Sequence, residues 1–554
     1  MASAIPSLGG APVLVLKEGS QRSQGREALH SNISAAVAVA EVIRTTLGPK
    51  GLDKMLVDSL GEVTVTNDGA TILKNMDVQH PAAKLMVQIS KTQDDEVGDG
   101  TKSTVVLAGE LLRRAEELVE RKIHPTMIVS GYRKAADIAL SAIKEIAKPI
   151  DLSDKSTLEK IAMTAMSSKS VSDAREHLAN ISVNAVLQVN EKRGQKNYVD
   201  VDQIQVIKKQ GGGAMDTQLI MGVVIDKEVV HPGMPKRVEK AKIALLDTPL
   251  EIEKTEIDAE IRITNPEQMK AFIDQESTIL KEMVEKLKNV GANVVICQKG
   301  IDDVAQHFLA KNGILAVRRA KQSDMEKLSR ASGARVVTNI DDLTPQDLGS
   351  AQLVEERRVA NEKMLFVEGC KNPKAVSILI RAGLERAVDE IERSLHDSLK
   401  AVATTVMDAR ILPGAGATQV ELAKRIRDQA SKVGGKEQLA VESFADALEV
   451  IPKAIAENAG LDPITVITDL TAAHSKKDGF AFGVDINSGK PVNSFEKGIV
   501  EPANLTTQAI RSAVEAASAI LRIDDVVAAA KSSGAGKGGA GKGSKDKGED
   551  SGSD

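Results

Sequence analysis

The chain has 554 residues, of which 42% are hydrophobic but only 2% aromatic, with no Trp, two Tyr and seven Phe. It is too long for one compact core, so several domains are expected, with interiors built from Ala, Val, Ile, Leu and Met. The scarcity of aromatics excludes stacking on nucleic-acid bases as a principal activity. The 73 basic and 78 acidic residues leave a net charge of −5, which gives no electrostatic case for a dedicated nucleic-acid or membrane-surface binder.

Cys297 and Cys370 are the only cysteines, too few for a disulfide framework or a thiolate metal cluster, and a reducing cytoplasm is the expected compartment. The apolar piece Val13 to Leu16 is very short, and no run elsewhere approaches the roughly 18–20 residues of a membrane span. A soluble, unexported chain is expected.

In chain order, "EALHSNISAAVAVAEVIRTTLG" and "TKSTVVLAGELLRRAEELVERK" carry apolar residues at helical spacing. In the second, Leu107, Leu111, Ala115, Leu118 and Val119 share a face opposite Arg113, Arg114, Glu116 and Glu117. Another helical region starts after Pro149. From about Gln203 to Val337, β-rich runs ("QVIKK", "LIMGVVI", "KIALLD", "NVVICQ", "GILAVRR", "ARVVTN") alternate with helical stretches, the pattern of an α/β domain. Within it, Glu251 to Ile263 alternates Ile with acids, as in an edge hairpin or a segment that uses its isoleucines on another surface, and a helix begins near Pro266. Helical character returns after Val367, with Leu384, Val388, Ile391, Leu395, Leu399, Val402 and Val406 forming a stripe. Helical ends thus flank an α/β middle, as in a chain that leaves one domain and returns to it. The Gly/Lys/Ser/Asp-rich C-terminus cannot bury enough apolar area to fold; its "GAGKGG" follows no strand and opens no helix, so composition explains it.

No GxxxxGK[ST], HExxH or GxSxG occurs in the folded part, and the eight histidines never fall at metal-ligand spacing. What remains is a set of Gly-rich turns: "TTLGPKG", "TNDGAT", "VGDGTKS" and "LPGAGAT". In "VGDGTKS", Gly98 and Gly100 allow close backbone approach, and a helix from Thr101 offers open N–H groups to a phosphate. Asp99 would repel that phosphate unless a divalent cation such as Mg²⁺ sits between them; the same residue also reads as an ordinary N-cap. Asp68 in "TNDGAT" reads as part of a hairpin turn. "TTLGPKG" reads as a helix stop and "LPGAGAT" as a linker before a helix. Asp397 lies off the apolar stripe, where acids are ordinarily solvated, and Lys169 is an ordinary loop lysine.

Together "RTTLGPKGLDKMLVD", "VTNDGATILKNMDVQHPAAKLM", "DDEVGDGTKSTVVLAGELL", "GVVIDKEVVHPGMPKRVEKAKIALLD", "PGAGAT" and "ILRIDDVV" resemble the group II chaperonins, archaeal thermosome subunits among them, in order from about Lys17 to Val527. The resemblance implies a multidomain fold: a mostly α equatorial ATPase domain (1–150 and 409–530), a small α+β intermediate hinge domain (151–220 and 371–408), and an α/β apical client-binding domain (221–370) with a helical lid protrusion at about 250–279. Residues 531–554 would be a disordered tail. It implies an ATP-hydrolysing, protein-folding chaperone that encloses unfolded clients in a double ring of like subunits, with neither nucleic acid nor membrane as partner; the alternative is a ring-forming scaffold with little productive turnover. A metabolic ATP-dependent transferase would need a small-substrate constellation in the middle domain, and none is visible.

ATP and Mg²⁺ are the implied cofactors. By the same resemblance, Asp99 would hold Mg²⁺, and Gly100, Thr101, Lys102 and Ser103 would line the phosphates. Thr46, Leu47, Gly48 and Pro49 would wrap the nucleotide, with Gly414, Ala415 and Gly416 closing over it. Asp485 and Asn487 would approach the base and Glu501 the ribose. Asp397, helped by Asp68, would orient or deprotonate the attacking water, and Lys169 would sense the γ-phosphate. The commoner PGGGA is here PGAGA, where Ala415 is tolerable at negative φ, and the commoner GDGTT is here GDGTK, with Lys102 in place of a hydroxyl.

Overall fold

The polypeptide, described by a computed structural model over residues 21–168, 172–194, 196–252, 266–370 and 375–528, divides into two units. Lys169, most of the Ile-rich stretch (253–265) and the tail beyond 528 lie outside the described residues. In the smaller unit, strands Gln21–Gln24 and Asp525–Ala528 pair antiparallel, with Gln21 opposite Ala528 and Gln24 opposite Asp525.

The larger unit, Asn32–Arg522, is helical at both ends. Its N-terminal part contains α1 (Gly25–Arg44) from Asn32 onward, α2 (Gly69–Asn75), α3 (Pro81–Val97), α4 (Thr101–Glu120) and α5 (Pro125–Ile146). Leu107, Leu111, Ala115 and Leu118 of α4 are buried as their spacing predicts, and Arg113 and Arg114 stay nearer the rim, both paired with Glu110. Tyr132 of α5 is fully buried, and its hydroxyl donates to the Leu111 carbonyl at 2.8 Å, so the buried polar tip is satisfied.

Next come α6 (Lys155–Ala165) and α7 (Arg175–Val189), then a middle region whose sheet runs, edge to edge, 315–317, 294–297, 237–246, 349–359, 362–370 and 222–225. Strand Arg237–Leu246 sets its two faces by period-2 alternation: Ile243 and Leu245 enter one apolar cluster, Ala244 and Leu246 the other. Helices α8 (Pro266–Asn289) and α9 (Asp303–Lys311) supply Leu280, Val284, Leu287, Ala305 and Leu309 to the second cluster, while α10 (Gln322–Ser332) supplies Met325 and Leu328 to the first. A sheet covered on both faces explains why its central strands read as continuous apolar runs.

Strand character persists well past Val367. The hairpin of Gly349–Val359 with Glu362–Cys370 is followed by strand Val376–Ala382, and helix resumes only with α11 (Glu385–Asp408). Charged residues hid the hairpin in the sequence. Arg357 bonds Glu368 across the strands through both guanidinium nitrogens at 2.7 Å, and such pairs let a charged strand stay in register. The apolar stripe of α11 is buried from Val388 to Val406 against α6, α7 and strand Val376–Ala382, but Leu384 is the exposed residue before the helix, outside the core.

The C-terminal part holds α12 (Ala417–Val433), α13 (Gly435–Leu448), α14 (Val450–Asn458), α15 (Pro463–His474), α16 (Ser494–Lys497) and α17 (Ala503–Leu521). His474 ties three of its segments together. One ring nitrogen lies 3.0 Å from Glu421 Oε2 on α12, and the other 2.8 Å from the Phe482 carbonyl at the start of strand Phe482–Val484. Burial works to raise the Glu421 carboxyl, but hydrogen bonds from His474 and Arg425 overcome it and pull it down to about 2. Removing one partner of such a buried pair costs about 3–5 kcal/mol. His474→Ala is therefore expected to lower the thermal unfolding midpoint markedly, followed by circular dichroism; an unchanged midpoint would show that this pair does not hold α12 and α15 together.

Candidate functional site

A cleft of about 490 Å³ opens among the turns that follow and precede these helices. Leu47, Gly48 and Pro49 line it from the turn after α1, Asp99, Gly100, Lys102 and Ser103 from the start of α4, and Ala415 and Gly416 from the turn before α12. Asp485, Asn487 and Glu501 complete the set of predicted residues in its wall. Thr46 stands just behind it, fully buried, with its hydroxyl donating to the Ile43 carbonyl at 2.7 Å. Thr101 is buried in the first turn of α4, and Gly414 accepts from Ser494 Oγ at 3.0 Å.

Two helix N-termini meet this space. Gly100 caps α4 and Gly416 caps α12, both in the left-handed region and neither with a side chain to cap the helix. The first amides of each helix therefore have no capping side chain from the N-cap and present the positive end of a macrodipole, an arrangement that attracts anions. The glycines before α4 are also sterically required. A Cβ on Gly98, at φ +74°, would lie 2.2 Å from Lys400 Cβ of α11, and one on Gly100 would lie 2.9 Å from Leu505 Cδ2.

Negative charge gathers at the same turns. The Asp99 carboxylate accepts from Gly100 N at 2.6 Å, so its own loop holds it. Burial raises the Glu501 carboxyl to about 7, against the hydrogen bond from Thr506 and with help from the Asp99 charge. Asp485 turns both oxygens toward its own loop, accepting from Asn487 N and Ser488 Oγ, which pull its carboxyl below the usual range. A second carboxylate group involves Asp94 of α3 and Asp397 of α11. Burial pushes Asp94 up to about 6; His396 opposes this, and the charges of Asp397 and Asp68 add to it. The Asp397 carboxylate in turn raises the His396 imidazole, whose Nδ1 lies 3.8 Å from Asp397 Oδ1.

A model of the TCP-1/cpn60 chaperonin family matches residues 39–531. The chain belongs to that family. Among curated proteins it is similar to the thermosome subunit beta of Desulfurococcus mucosus, 61% identical over 91% of this chain and 100% of that protein. It is likewise similar to the subunits beta of Thermococcus kodakarensis (60% identical, 95% of this chain and 96% of that protein) and Saccharolobus solfataricus (58%, 95% of each). The chaperonin is an ATP-driven protein-folding chaperone with the architecture its sequence pattern announced. No helix among its described residues is long and apolar enough to cross a membrane.

Several local expectations for this chaperonin need correction. Asp99 does not cap α4; Gly100 does. Asp68 does not sit in a hairpin turn: the reversal lies between strands Lys54–Val57 and Val63–Thr66, where Gly61 N and Glu62 N bond Asp58, and Asp68 caps α2 by accepting from Thr71 N at 2.8 Å. Asp397 is buried at 8% exposure rather than solvated, because α11 lies against the loop before α4. Ala415 takes φ +56°, not the negative value that a methyl prefers.

Sequence reasoning passed over Thr164, Ser167 and Ser168, which line the cleft from the end of α6 and the turn after it, and Ile451, Ile455 and Leu505, which give it apolar wall. Ser167 and Ser168 are the first two residues of "SSKS", directly before Lys169, and that place was their signal; the others lie on helix faces and belong to none of the Gly-rich turns. Asp94 and His396 were also missed, though each stands close in sequence to a predicted acid.

The Ala415 backbone costs about 1 kcal/mol in the left-handed region, partly offset by the stiffer unfolded chain that alanine confers. Ala415→Gly is expected to raise the thermal midpoint by a small amount, equivalent to about 0.5–1 kcal/mol; a lower midpoint would contradict this strain. For Glu501 the sign follows from a folded pKa of about 7 above the ordinary 4.5. Its contribution is fully present below about 4.5 and lost as pH rises through 7. Glu501→Gln should therefore raise the midpoint relative to the parent at pH 8, with the difference closing toward pH 4.5 in a pH series of thermal melts.

Proposed function

We propose that the cleft is the Mg·ATP site that drives the chaperone. The observation that carries this reading is the meeting of two glycine-capped helix starts, α4 and α12, in one cleft whose wall also contains Asp99. Phosphate oxygens would bind at the first turn of α4, on the N–H groups of Thr101, Lys102 and Ser103, with Gly100 and the Gly414–Gly416 turn lining them closely. Thr46 to Pro49 wrap the nucleotide, Asp485 and Asn487 flank the base, and Glu501 faces the ribose. The apolar side chains Ile451, Ile455 and Leu505 supply a surface for the nucleoside.

The donors fit Mg²⁺. Asp99 is a hard oxygen ligand, and no histidine or cysteine is among the described residues that line the cleft. When bound, the cation offsets charge on the phosphate oxygens and relieves the repulsion that Asp99 would exert on them.

Hydrolysis is in-line transfer of the γ-phosphoryl group to water: the new P–O bond forms to the water oxygen while the bond to the β–γ bridging oxygen breaks. Asp397, with Asp68, orients that water and takes its proton, and ADP and inorganic phosphate leave. Lys169 completes the γ-phosphate contacts. Asp397 rides on α11, which belongs to the hinge domain (151–220 and 371–408), whereas Asp99 and Asp68 belong to the equatorial domain (1–150 and 409–530). The shared core of α6, α7 and α11, separate from the two apolar clusters of the middle sheet, supports that division. Hydrolysis is then conditional on how α11 docks, which couples chemistry to movement of the apical domain (221–370) and its protrusion at about 250–279.

Like subunits would assemble into a double ring in the cytoplasm, enclose unfolded proteins and release them with each cycle. Relatives named as thermosome subunits support this, and so do Met269, Phe272 and Ile273, exposed apolar residues near the start of α8 that suit capture of unfolded chains. In a test of the site, Asp397→Ala is expected to bind ATP as the parent does while steady-state hydrolysis falls at least about 100-fold, the range of a lost general base. Turnover equal to the parent's would remove Asp397 from the mechanism.

A further inference from the structure

Asp99 stands between Gly98 (φ +74°) and Gly100 (φ +77°), and glycines on both sides leave the turn little restraint of its own. Restraint comes from Gln93, near the end of α3. Its carbonyl accepts from Gly98 N at 3.3 Å, and its side-chain Nε2 donates to the Asp99 carbonyl at 3.0 Å. The residue is fully buried, and a Cβ on Gly100 would lie 3.3 Å from Nε2, so the amide lies directly against the turn.

Two hydrogen bonds meet in one peptide plane. The C=O of Asp99 and the N–H of Gly100 belong to the same planar trans unit and point in opposite directions. Gln93 holds the oxygen, and the N–H at the other edge donates to Asp99 Oδ1 at 2.6 Å. Fixing the carbonyl therefore fixes the N–H, and the N–H draws the carboxylate to one place. Without the Gln93 donor the plane can turn about the bonds that flank it, and Gly100 has no side chain to resist.

The amide is kept at a cost. Gln93 Oε1 is buried and meets no hydrogen-bond donor among the described residues, and a buried acceptor left unmet is destabilising. An apolar side chain would spare that cost, so packing alone does not account for a glutamine at this position; the use of its N–H does.

We propose that Gln93 is a positioning residue for ATP hydrolysis: through the Asp99–Gly100 peptide it aims the Asp99 carboxylate at the cation that accompanies the nucleotide. The inference rests on the Mg·ATP reading of the cleft. Asp99 is in the cleft wall and Gln93 stands behind it, so loss of Gln93 shows in the demand for Mg²⁺ and not in the grip on the metal-free nucleotide.

The test is calorimetric titration of the full-length protein with ADP, in EDTA and over a series of free Mg²⁺ concentrations. It compares the parent with Gln93→Met, Gln93→Leu, Asp99→Asn and the double variant Gln93→Met/Asp99→Asn. In Gln93→Met the free Mg²⁺ needed for half-maximal ADP affinity is expected to rise about tenfold, the lower end of the effect of losing a hydrogen bond behind a metal ligand, while affinity in EDTA stays as in the parent. Gln93→Leu removes the same donor with a different shape and is expected to give the same shift, so it decides should Gln93→Met fail to fold. In the Asp99→Asn background Gln93→Met is expected to add nothing. A parental Mg²⁺ requirement in the Gln93 variants, an equal loss of affinity with and without Mg²⁺, or an additive effect in the double variant would overturn the positioning role. Failure of both Gln93 variants to fold would mark a structural residue and overturn it as well. Asp99→Asn separates the two levels: if it leaves the Mg²⁺ requirement unchanged, the Mg·ATP reading falls and the positioning role with it. If it raises that requirement while the Gln93 variants keep the parent's, the positioning role alone falls.

Discussion

The glycine-capped starts of α4 and α12, which meet at one cleft, constrain the rest of the larger unit. A helix that begins at glycine has no side chain at its N-cap to satisfy its first N–H groups, and each such end costs stability unless solvent or a ligand meets it. Several helices of this chain avoid the cost: Asp68 caps α2, His80 caps α3, Asp154 caps α6 and Asp462 caps α15. Others, α7, α10, α11, α13, α14 and α17, also start without a side-chain cap; what sets α4 and α12 apart is that their glycine N-caps lie in the wall of one cleft. They also come from opposite ends of the chain, so the helical packing that joins the two ends is what brings the two positive helix ends together.

Negative charge is the complementary constraint. Asp94, Asp397, Asp99 and Glu501 are carried into partly buried surroundings, and two of them are pushed up to about 6 and 7 by that burial. These acids have partners of their own: Asp99 accepts from Gly100 N, Glu501 from Thr506 Oγ1, and Asp397 lies beside His396. In the Glu421–His474–Arg425 set the hydrogen bonds outweigh burial and the carboxyl goes down instead. The contrast within one chain separates a carboxylate that fastens helices from Asp94 and Glu501, where burial wins and the carboxyl goes up, and raised acids of this kind mark candidate functional sites.

Periodicity made the helices and the central strands legible, because a buried stripe or a doubly covered strand writes itself directly in apolar residues. The hairpin 349–370 was not legible, since Arg357 pairs with Glu368 across the strands and with Glu355 along its own, and such charged positions mask the apolar alternation. At the site, the Gly-rich turns were recognisable as places of close approach, but the reasons for it lie far off in sequence. Lys400 demands the missing Cβ of Gly98, and Leu505 that of Gly100. The burial of Asp397 had the same origin: the helical wheel placed it off the stripe of α11, and only the docking of that helix on the loop before α4 removes it from water. Composition could not report which acids would share one low-dielectric space.

Lys102 sharpens what a single cation does in such a place. A threonine there could offer a hydroxyl to one neighbour; the longer lysine reaches segments near residues 46, 67 and 168 at once. Its charge also suits the surplus of carboxylates nearby, since a fixed cation near Asp99 and Glu501 lowers the cost of bringing in further negative phosphate. Under the Mg·ATP reading, a cation already held in the wall of the cleft by these segments would meet the phosphates without first having to be ordered.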